Sequence, residues 1–282
     1  MGRDLAVSGS MQTRWPSGVL LTSRHERWRA QAQGDLRLET LRARDAAGPL
    51  ASQVTAATTA GFDNVIVQHD AVDAQAPLDW DRLRAAGLRG VSLRCEGEAA
   101  LHNFIAKQDP ARVLPTMAAL EETADRAQRR GLELHVRTRV ARSNFRSLGG
   151  VLSRALAWQA KTWTLEYMPL DGVDLPAEGV GHMHPRLALS LPWVLRSGAQ
   201  AASRGIPFAT RGAPLCLLGP LASHAVVERS NEFAPVCAAC PARAGCVGGD
   251  PTYFARFGFG ELHARPAPTE PSRGWWSVAA LL

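Results

Sequence analysis

Short β-like runs alternate with helix-like segments along most of this chain, and this alternation constrains its fold more than any other feature. The predicted strands are residues 64–68, 91–95, 132–140, 162–167 and 206–210. The predicted helices are residues 49–60, 80–86, 115–130, 148–160 and a further helix within 185–203. Repeated strand–helix units predict parallel strands with helices outside them, as an open α/β sheet or a barrel. In either form the working face lies at the carboxyl ends of the strands.

Length and composition indicate one large core with room for a small appendage, because the chain has 282 residues and is 46% hydrophobic. No run of about eighteen apolar residues is present, which excludes a membrane span. Residues 1–18 are polar and lack the apolar centre of a secretory signal. We therefore expect a cytoplasmic protein, whose thiols stay reduced and bind metal rather than form disulfides.

The net charge of +6 does not by itself indicate a nucleic-acid binder. Of the 32 basic residues only Lys107 and Lys161 are lysine, and the arginines are spread along the chain. A basic run with interleaved aromatic residues, which is typical of nucleic-acid binding, is missing from the sequence. We therefore do not expect nucleic acid as a partner.

Four of the five cysteines lie close together near the carboxyl end, at Cys216, Cys237, Cys240 and Cys246. A C-x₂-C pair with two further thiols nearby predicts a four-thiolate site for a soft metal, either an iron–sulfur cluster or zinc. Proline and glycine interrupt the segment, so it is a loop rather than an apolar helix. Spacing alone leaves iron–sulfur and zinc nearly equal. The fifth thiol, Cys95, lies in a predicted strand and is expected to be a small buried core residue.

A second group of polar residues follows or ends the predicted strands. These candidates for binding at the mouth of the sheet or barrel are His69, Asp70, Arg94, Glu96, Arg139, Asn144 and Glu166. Because parallel strands end at one edge, the side chains should lie close together there. They either satisfy one another by ion pairs and hydrogen bonds, or line a groove for a peptide or small molecule.

The cysteine segment resembles the C-terminal cluster-binding tail of radical SAM enzymes. The residues that carry this resemblance are Pro214-x-Cys216, Cys237-x-x-Cys240-Pro, Cys246-x-Gly248, Tyr253, Gly258 and Glu261-Leu262. The middle of the chain is similar in its order, with Val91-Ser-Leu-Arg, His102-Asn and Arg139-Val140-x-x-x-Asn144. The resemblance spans residues 18–266. It implies a partial (βα)₆ parallel barrel and a 4Fe–4S cluster on the four cysteines, with Zn²⁺ as the alternative.

The resemblance also implies four regions. They are a flexible N-terminal tail at 1–17, the radical SAM-like partial barrel at 18–210, the Cys-rich cluster-binding extension at 211–266, and a Pro-rich exit with an apolar tail at 267–282.

Two departures from the family pattern affect the same function, the binding and cleavage of S-adenosylmethionine. The family places C-x₃-C-x₂-C after its first strand, where this chain has His25, Arg29 and Ala32. The family places Gly-Gly-Glu-Pro after its second strand, where this chain has Gln68-His69-Asp70-Ala71. Without the three thiolates the S-adenosylmethionine-cleaving cluster cannot be built, so no catalytic residue and no such cleavage are expected.

The resulting hypothesis is a radical SAM-like pseudoenzyme that serves as a partner or substrate-recognition subunit of an intact radical SAM enzyme, in peptide modification. Two alternatives remain: an electron-transfer protein that uses the tail cluster, and an enzyme that uses the strand-end residues without cleaving S-adenosylmethionine. The apolar end, residues 275–282, is expected either to pack at a homodimer or heterodimer interface or to fold back on the barrel.

Overall fold

The computed structural model describes residues 19–22, 47–59, 64–69, 78–108, 114–167, 183–225 and 232–264. Six strands form one sheet in the order of the sequence. They are β1 Val19–Thr22, β2 Asn64–His69, β3 Leu88–Arg94, β4 Glu133–Val140, β5 Thr162–Tyr167 and β6 Phe208–Arg211. Strands β2 to β6 are all parallel, which confirms the predicted α/β class.

Helices connect the parallel strands, as the alternation predicts. They are α1 Ala47–Thr59, α2 Trp80–Ala85, α3 Ala99–Gln108, α4 Met117–Arg129, α5 Leu148–Ala157, α6 Leu187–Ser203, α7 Leu215–Leu218 and α8 Pro251–Phe257. Three short 3₁₀ turns, Gly219–His224, Pro235–Ala239 and Arg243–Gly245, lie between α7 and α8. Among the described residues no helix is long and apolar enough to cross a membrane.

The first strand corrects the expectation of a wholly parallel sheet. β1 runs antiparallel to β2, with Val19 opposite Val67 and Thr22 opposite Asn64. A four-residue apolar run carries no information about its direction, and the connection that returns the chain to the sheet sets that direction. The parallel prediction therefore holds for β2 to β6 and is wrong for β1.

The parallel strands have one apolar face and one polar face. Val91, Leu93 and Val136 belong to the same buried core as Leu120 of α4 and Val194 of α6. The alternate residues point to the other side and are polar but equally buried: Ser92, Arg94, His135, Arg137, Thr162, Glu166 and Arg211. The register sets Arg94 beside Arg137 and Glu166 beside Arg211, so that neighbouring strands bring these charges together.

The extension after β6 is fastened to the sheet domain through Tyr253 of α8. Asp250 caps this helix by accepting a hydrogen bond from the Tyr253 backbone N–H. The buried Tyr253 hydroxyl accepts from the Leu187 N–H at the start of α6 (2.9 Å) and donates to the Glu261 carboxylate. Its ring packs edge-on against His184, with 5.1 Å between centroids. The Cys-rich segment is thereby held against the first turn of α6.

Candidate functional site

The four clustered cysteines line one pocket in the extension. Cys216 lies on α7, Cys237 lies in the turn Pro235–Ala239, and Cys240 and Cys246 follow 3₁₀ turns. All five cysteines of the chain are free thiols, and these four are half-buried. The pocket walls are completed by Pro214, Leu215, Phe233, Ala242, Arg243, Gly248, Leu262 and His263. The structure thus brings together the four residues that the spacing singled out.

Tight turns in the cysteine segment explain why thiols that are separate in sequence meet. The Cys240 N–H donates to the Cys237 carbonyl (3.1 Å), and the Cys246 N–H donates to the Arg243 carbonyl (3.2 Å). Each such bond closes a tight 3₁₀ turn that shortens the path of the chain between the cysteines. A backbone bridge between Glu232 and Gly249, with N···O distances of 3.0 and 2.9 Å, closes the segment at its base.

Backbone N–H groups point at the sulfur of Cys246. Leu215 N–H lies 3.4 Å and Gly248 N–H 3.5 Å from its Sγ. Gly248 has φ +68°, a left-handed conformation that favours glycine, and this accounts for the Cys-x-Gly pattern. Such donors stabilise a thiolate and tune a metal that it binds.

The surroundings of Cys216 in the pocket disfavour charge on its thiol. Burial raises the pKa of Cys216, and the neighbouring Cys246 and Cys237 raise it further, against a backbone hydrogen bond from His263. None of the described residues that line the pocket carries a carboxylate, and Arg243 stands on its wall. A soft cation would remove the repulsion between thiolates, so the donor chemistry fits zinc or an iron–sulfur cluster.

The described side chains do not form a closed coordination site. In the ranges that the structure describes, no group of three His, Cys, Asp or Glu residues is arranged to hold a metal ion. The thiols therefore share a pocket wall without converging on one position.

Glu96 organises the first group of strand-end residues. Its carboxylate accepts from the Arg94 guanidinium and from the Arg139 backbone N–H (3.0 Å). The Asn144 amide donates to the Glu96 carbonyl (3.0 Å) and to the Arg139 carbonyl (2.8 Å), while its oxygen accepts from Ala141 N–H (2.8 Å). Burial raises the pKa of Glu96, and the charge of Arg94 opposes this shift. Four of the predicted residues therefore meet at the ends of β3 and β4.

Glu166 organises a second group, which sequence reasoning identified only in part. Its two carboxylate oxygens lie 3.6 Å from Arg137 Nη1 and 3.3 Å from Arg211 Nη1. Arg137 also donates through Nε to Ser92 Oγ (3.1 Å). These contacts join β3, β4, β5 and β6 through buried charges that satisfy one another. Arg211 was missed because the predicted strand ended one residue earlier. The available signal for Arg137 was its position two residues before Arg139 in the predicted strand, which places both side chains on the same face.

His102 is a further buried member that the sequence prediction did not assign to the site. Its Nδ1 accepts from the Glu96 N–H (3.1 Å), and its Nε2 lies 2.7 Å from the Pro115 carbonyl oxygen. A carbonyl can only accept, so Nε2 carries the proton and the imidazole is neutral. Burial lowers its pKa and maintains this state.

The structure describes some of the remaining candidate residues and not others. Cys95 is fully buried, its Sγ lies 3.5 Å from the Gly97 carbonyl, and burial raises its pKa to about 12, which confirms a core residue. The backbone of His69 ends β2. Asp70 and the positions His25, Arg29 and Ala32 lie outside the described residues, as does the tail 275–282.

Comparison with known proteins adds no assignment. No protein-family model matches the chain, and no curated protein matches it.

Proposed function

We propose that the chain is a radical SAM-like iron–sulfur protein that does not cleave S-adenosylmethionine and serves as a recognition subunit for an active radical SAM enzyme. The observation that carries this proposal is the gathering of Cys216, Cys237, Cys240 and Cys246 on one pocket. Leu262, which belongs to the same tail motif, also lines this pocket. Two further residues of that motif, Tyr253 and Glu261, are joined by a hydrogen bond.

The proposed architecture is a partial (βα)₆ barrel, in which β2 to β6 supply the parallel part. Two observations support it. The strands follow one another in sequence order, and right-handed crossovers in that order place the helices on one face. The opposite face carries Arg94, Arg137 and Glu166 and is nevertheless buried. Curling of the sheet into a barrel would bury that polar face inside it.

The proposed cofactor is a 4Fe–4S cluster held by the four cysteines. Four thiolates leave no iron open to a ligand, so such a cluster stabilises structure or carries an electron. The chain's own contribution is to supply the thiolates, to direct the Leu215 and Gly248 N–H groups at Cys246, and to fasten the pocket to α6 through Tyr253. Because metal binding is coupled to folding, the cluster would also order the extension.

The proposed recognition role follows from what the chain keeps and what it lacks. It lacks thiols at His25, Arg29 and Ala32, yet it keeps the strand order and the tail thiols. A rigid framework binds a protein or peptide with little loss of conformational freedom. The groups around Glu96 and Glu166 lie at the edge where a peptide or small molecule would be received.

Anaerobic purification with analysis of iron, sulfide and zinc tests the cluster directly. We expect about four irons and four sulfides per chain and a brown colour. Single Cys→Ser changes at Cys216, Cys237, Cys240 or Cys246 should lose iron, whereas the matched control Cys95→Ser should retain it. One zinc without iron, or a quadruple variant with unchanged stability, would contradict the proposal.

A further inference from the structure

One side of helix α6 presents large apolar side chains to solvent between arginines. Arg186, Leu189, Trp193 and Arg196 follow one another at helical spacing and share that side. Leu189 is 63% exposed and Trp193 is 41% exposed. The opposite side of the helix packs into the core through residues such as Val194. The exposed stripe is therefore separate from the packing that holds α6 on the sheet.

The stripe continues onto the loop that precedes α5. The Phe145 ring meets Trp193 edge-on at 6.5 Å, and the Arg146 guanidinium lies 5.1 Å above the Phe145 ring. In the same loop the Arg142 N–H donates to the Met183 carbonyl (3.0 Å), and Met183 is 45% exposed. We call this surface the α6 face. Its residues are Arg142, Arg146, Met183, Arg186, Leu189, Trp193 and Arg196.

Exposed apolar residues are concentrated on the α6 face. Met183, Leu189 and Trp193 are three of the five large apolar side chains that are exposed in the described part of the chain. Isolated apolar residues are normal on a protein surface, whereas a contiguous group with a polar rim marks a contact site. Tryptophan and arginine, which both occur here, are the residues that most often dominate binding energy at interfaces.

The two chain segments that supply the α6 face carry charge of one sign. Residues 141–157 and 183–205 contain no Asp or Glu. Their arginines are Arg142, Arg146, Arg154, Arg186, Arg196 and Arg204. Arg154 pairs with Glu121 of α4, whereas Arg146, Arg186 and Arg196 lie exposed around the apolar residues of the α6 face. A complementary partner is therefore acidic.

The charge and shape of the α6 face distinguish between three possible occupants: a second copy of the chain, a membrane surface and a segment of a partner protein. A second copy would meet this surface through a two-fold axis and set arginines against arginines, which is unfavourable. An amphipathic helix that lies in a membrane inserts its whole apolar side, but α6 uses that side for the core. We propose that the α6 face binds an acidic amphipathic segment of a partner protein, with apolar side chains against Leu189 and Trp193 and carboxylates against the arginines. This deepens the proposed recognition role and rests on it.

The test uses the full-length chain and two labelled synthetic 18-residue helical peptides. Both have leucines at the same positions, with glutamate at the polar positions of one and lysine in the other. Fluorescence anisotropy should show the glutamate peptide binding at least about tenfold more tightly. That affinity should fall when NaCl rises from about 50 mM to about 300 mM, because salt screens the arginines.

Variants locate the binding on the surface. Trp193→Ser and the charge reversal Arg196→Glu should each weaken the glutamate peptide about tenfold. The matched controls are Phe104→Ser, an even more exposed aromatic on α3, and Arg82→Glu, an exposed arginine on α2. Both should leave binding unchanged. Circular dichroism checks that each variant is folded. If Trp193→Ser does not fold, Arg196→Glu still tests the proposal.

Several outcomes would overturn the inference. They are equal binding of the two peptides, no effect of either α6-face variant, binding to phosphatidylglycerol vesicles that Trp193→Ser abolishes, and a dimer that the same variant dissociates. Iron analysis of the same preparations separates the two proposals. Missing iron with normal peptide binding rejects the cluster protein, whereas normal iron with failed peptide binding rejects only the α6 face.

Discussion

At the scale of single residues, His135 is the buried polar side chain whose environment is least complete. Its Nδ1 lies 2.9 Å from Thr162 Oγ1, while its Nε2 has no hydrogen-bond partner within the described part of the chain. The nearest carboxylate oxygen, on Glu133, is 3.9 Å from Nε2. A Cβ at Gly90 would lie 3.1 Å from the same nitrogen, so glycine leaves room for the ring. Burial lowers the pKa of His135 to about 3, and Lys161 adds to this shift.

This environment predicts a dependence of stability on acid. The unfolded chain binds a proton on His135 below its ordinary pKa of 6.5, whereas the folded chain does not. Stability is therefore present above that value and is lost as the pH falls toward the folded pKa. Between about pH 6 and pH 5 the loss of unfolding free energy from His135 is roughly 1.4 kcal/mol per pH unit.

We expect His135→Leu to make the unfolding free energy depend less steeply on pH over that range, by about one proton. Urea unfolding at several pH values measures this dependence. Burial also lowers the pKa values of His102, His184 and His224, so the slope should decrease without disappearing. Thr162→Val is the control, because it keeps the imidazole and should shift stability while retaining the slope. An unchanged slope in His135→Leu would mean that the folded protein protonates this ring.

Three residues of the N-terminal region carry the prediction about S-adenosylmethionine. His25, Arg29 and Ala32 stand where the family resemblance requires thiolates, and a single imidazole cannot hold a cluster that needs three protein ligands. We expect the purified chain with a strong reductant to produce no 5′-deoxyadenosine above a protein-free control, by chromatography. An active radical SAM enzyme assayed in parallel serves as the positive control. Product formation that depends on the chain would overturn this expectation.

At the scale of helices and strands, the alternation of apolar runs was sufficient to predict most of the architecture. β5 Thr162–Tyr167 has the predicted ends, and α4 Met117–Arg129 lies within its predicted range. These elements follow local rules. The Thr116 hydroxyl caps α4 by accepting from the Ala119 N–H, and Gly131 ends it with φ +68°.

The elements that were missed depend on tertiary context. α3 Ala99–Gln108 buries His102 fully, and its polar contacts with Glu96 and Pro115 cannot be read from apolar periodicity. The direction of β1 was wrong because it depends on the connection to β2 rather than on the four residues of the strand. The grouping of Arg137 and Arg211 around Glu166 required the strand register, which the sequence does not state.

The junction between α6 and α8 yields a prediction about the extension. Tyr253→Phe removes the hydroxyl that accepts from Leu187 N–H and donates to Glu261, and it leaves both partners without that bond. We expect a loss of roughly 1–3 kcal/mol in urea unfolding, because buried polar groups lose a partner. Trypsin should also cut more quickly after Arg243, in the loosened extension.

Tyr167→Phe is the matched control for this change. Its hydroxyl contacts Ser190 Oγ at 2.7 Å, and Ser190 also bonds to the Arg186 carbonyl, so less is lost. Cleavage after Arg243 should then remain at the rate of the unaltered protein. Equal cleavage in the two variants would show that Tyr253 does not fasten the extension.

At the scale of the whole molecule, two kinds of interaction stabilise two different parts of the chain. Ion pairs around Glu166, together with the Arg137–Ser92 hydrogen bond, join four neighbouring strands, and Tyr253 joins the extension to α6. The two regions contain different chemistry, since one is charged and the other is soft and thiol-rich. Loss of the proposed cluster should therefore loosen the extension while leaving the sheet domain folded.

The apolar end of the chain supplies the last prediction, which concerns assembly. Residues 275–282 read Trp-Trp-Ser-Val-Ala-Ala-Leu-Leu, and such a segment is unfavourable when it stays exposed on a monomer. We expect the full-length chain to form a homodimer or, in the favoured case, a heterodimer with an intact radical SAM enzyme encoded by a neighbouring gene. Truncation after Pro266 should weaken that association while iron content and circular dichroism stay unchanged, because the four cysteines and Tyr253 all precede the cut.

Light scattering and co-purification with the neighbouring gene product measure this effect. The double change Trp275→Ser with Trp276→Ser is a milder variant that keeps the length of the chain, and it should weaken the association in the same direction. If the full-length protein is a monomer, co-purifies with no partner and is unaffected by truncation, the recognition role is wrong. The chain would then be a solitary cluster protein, because all four cysteines precede the tail.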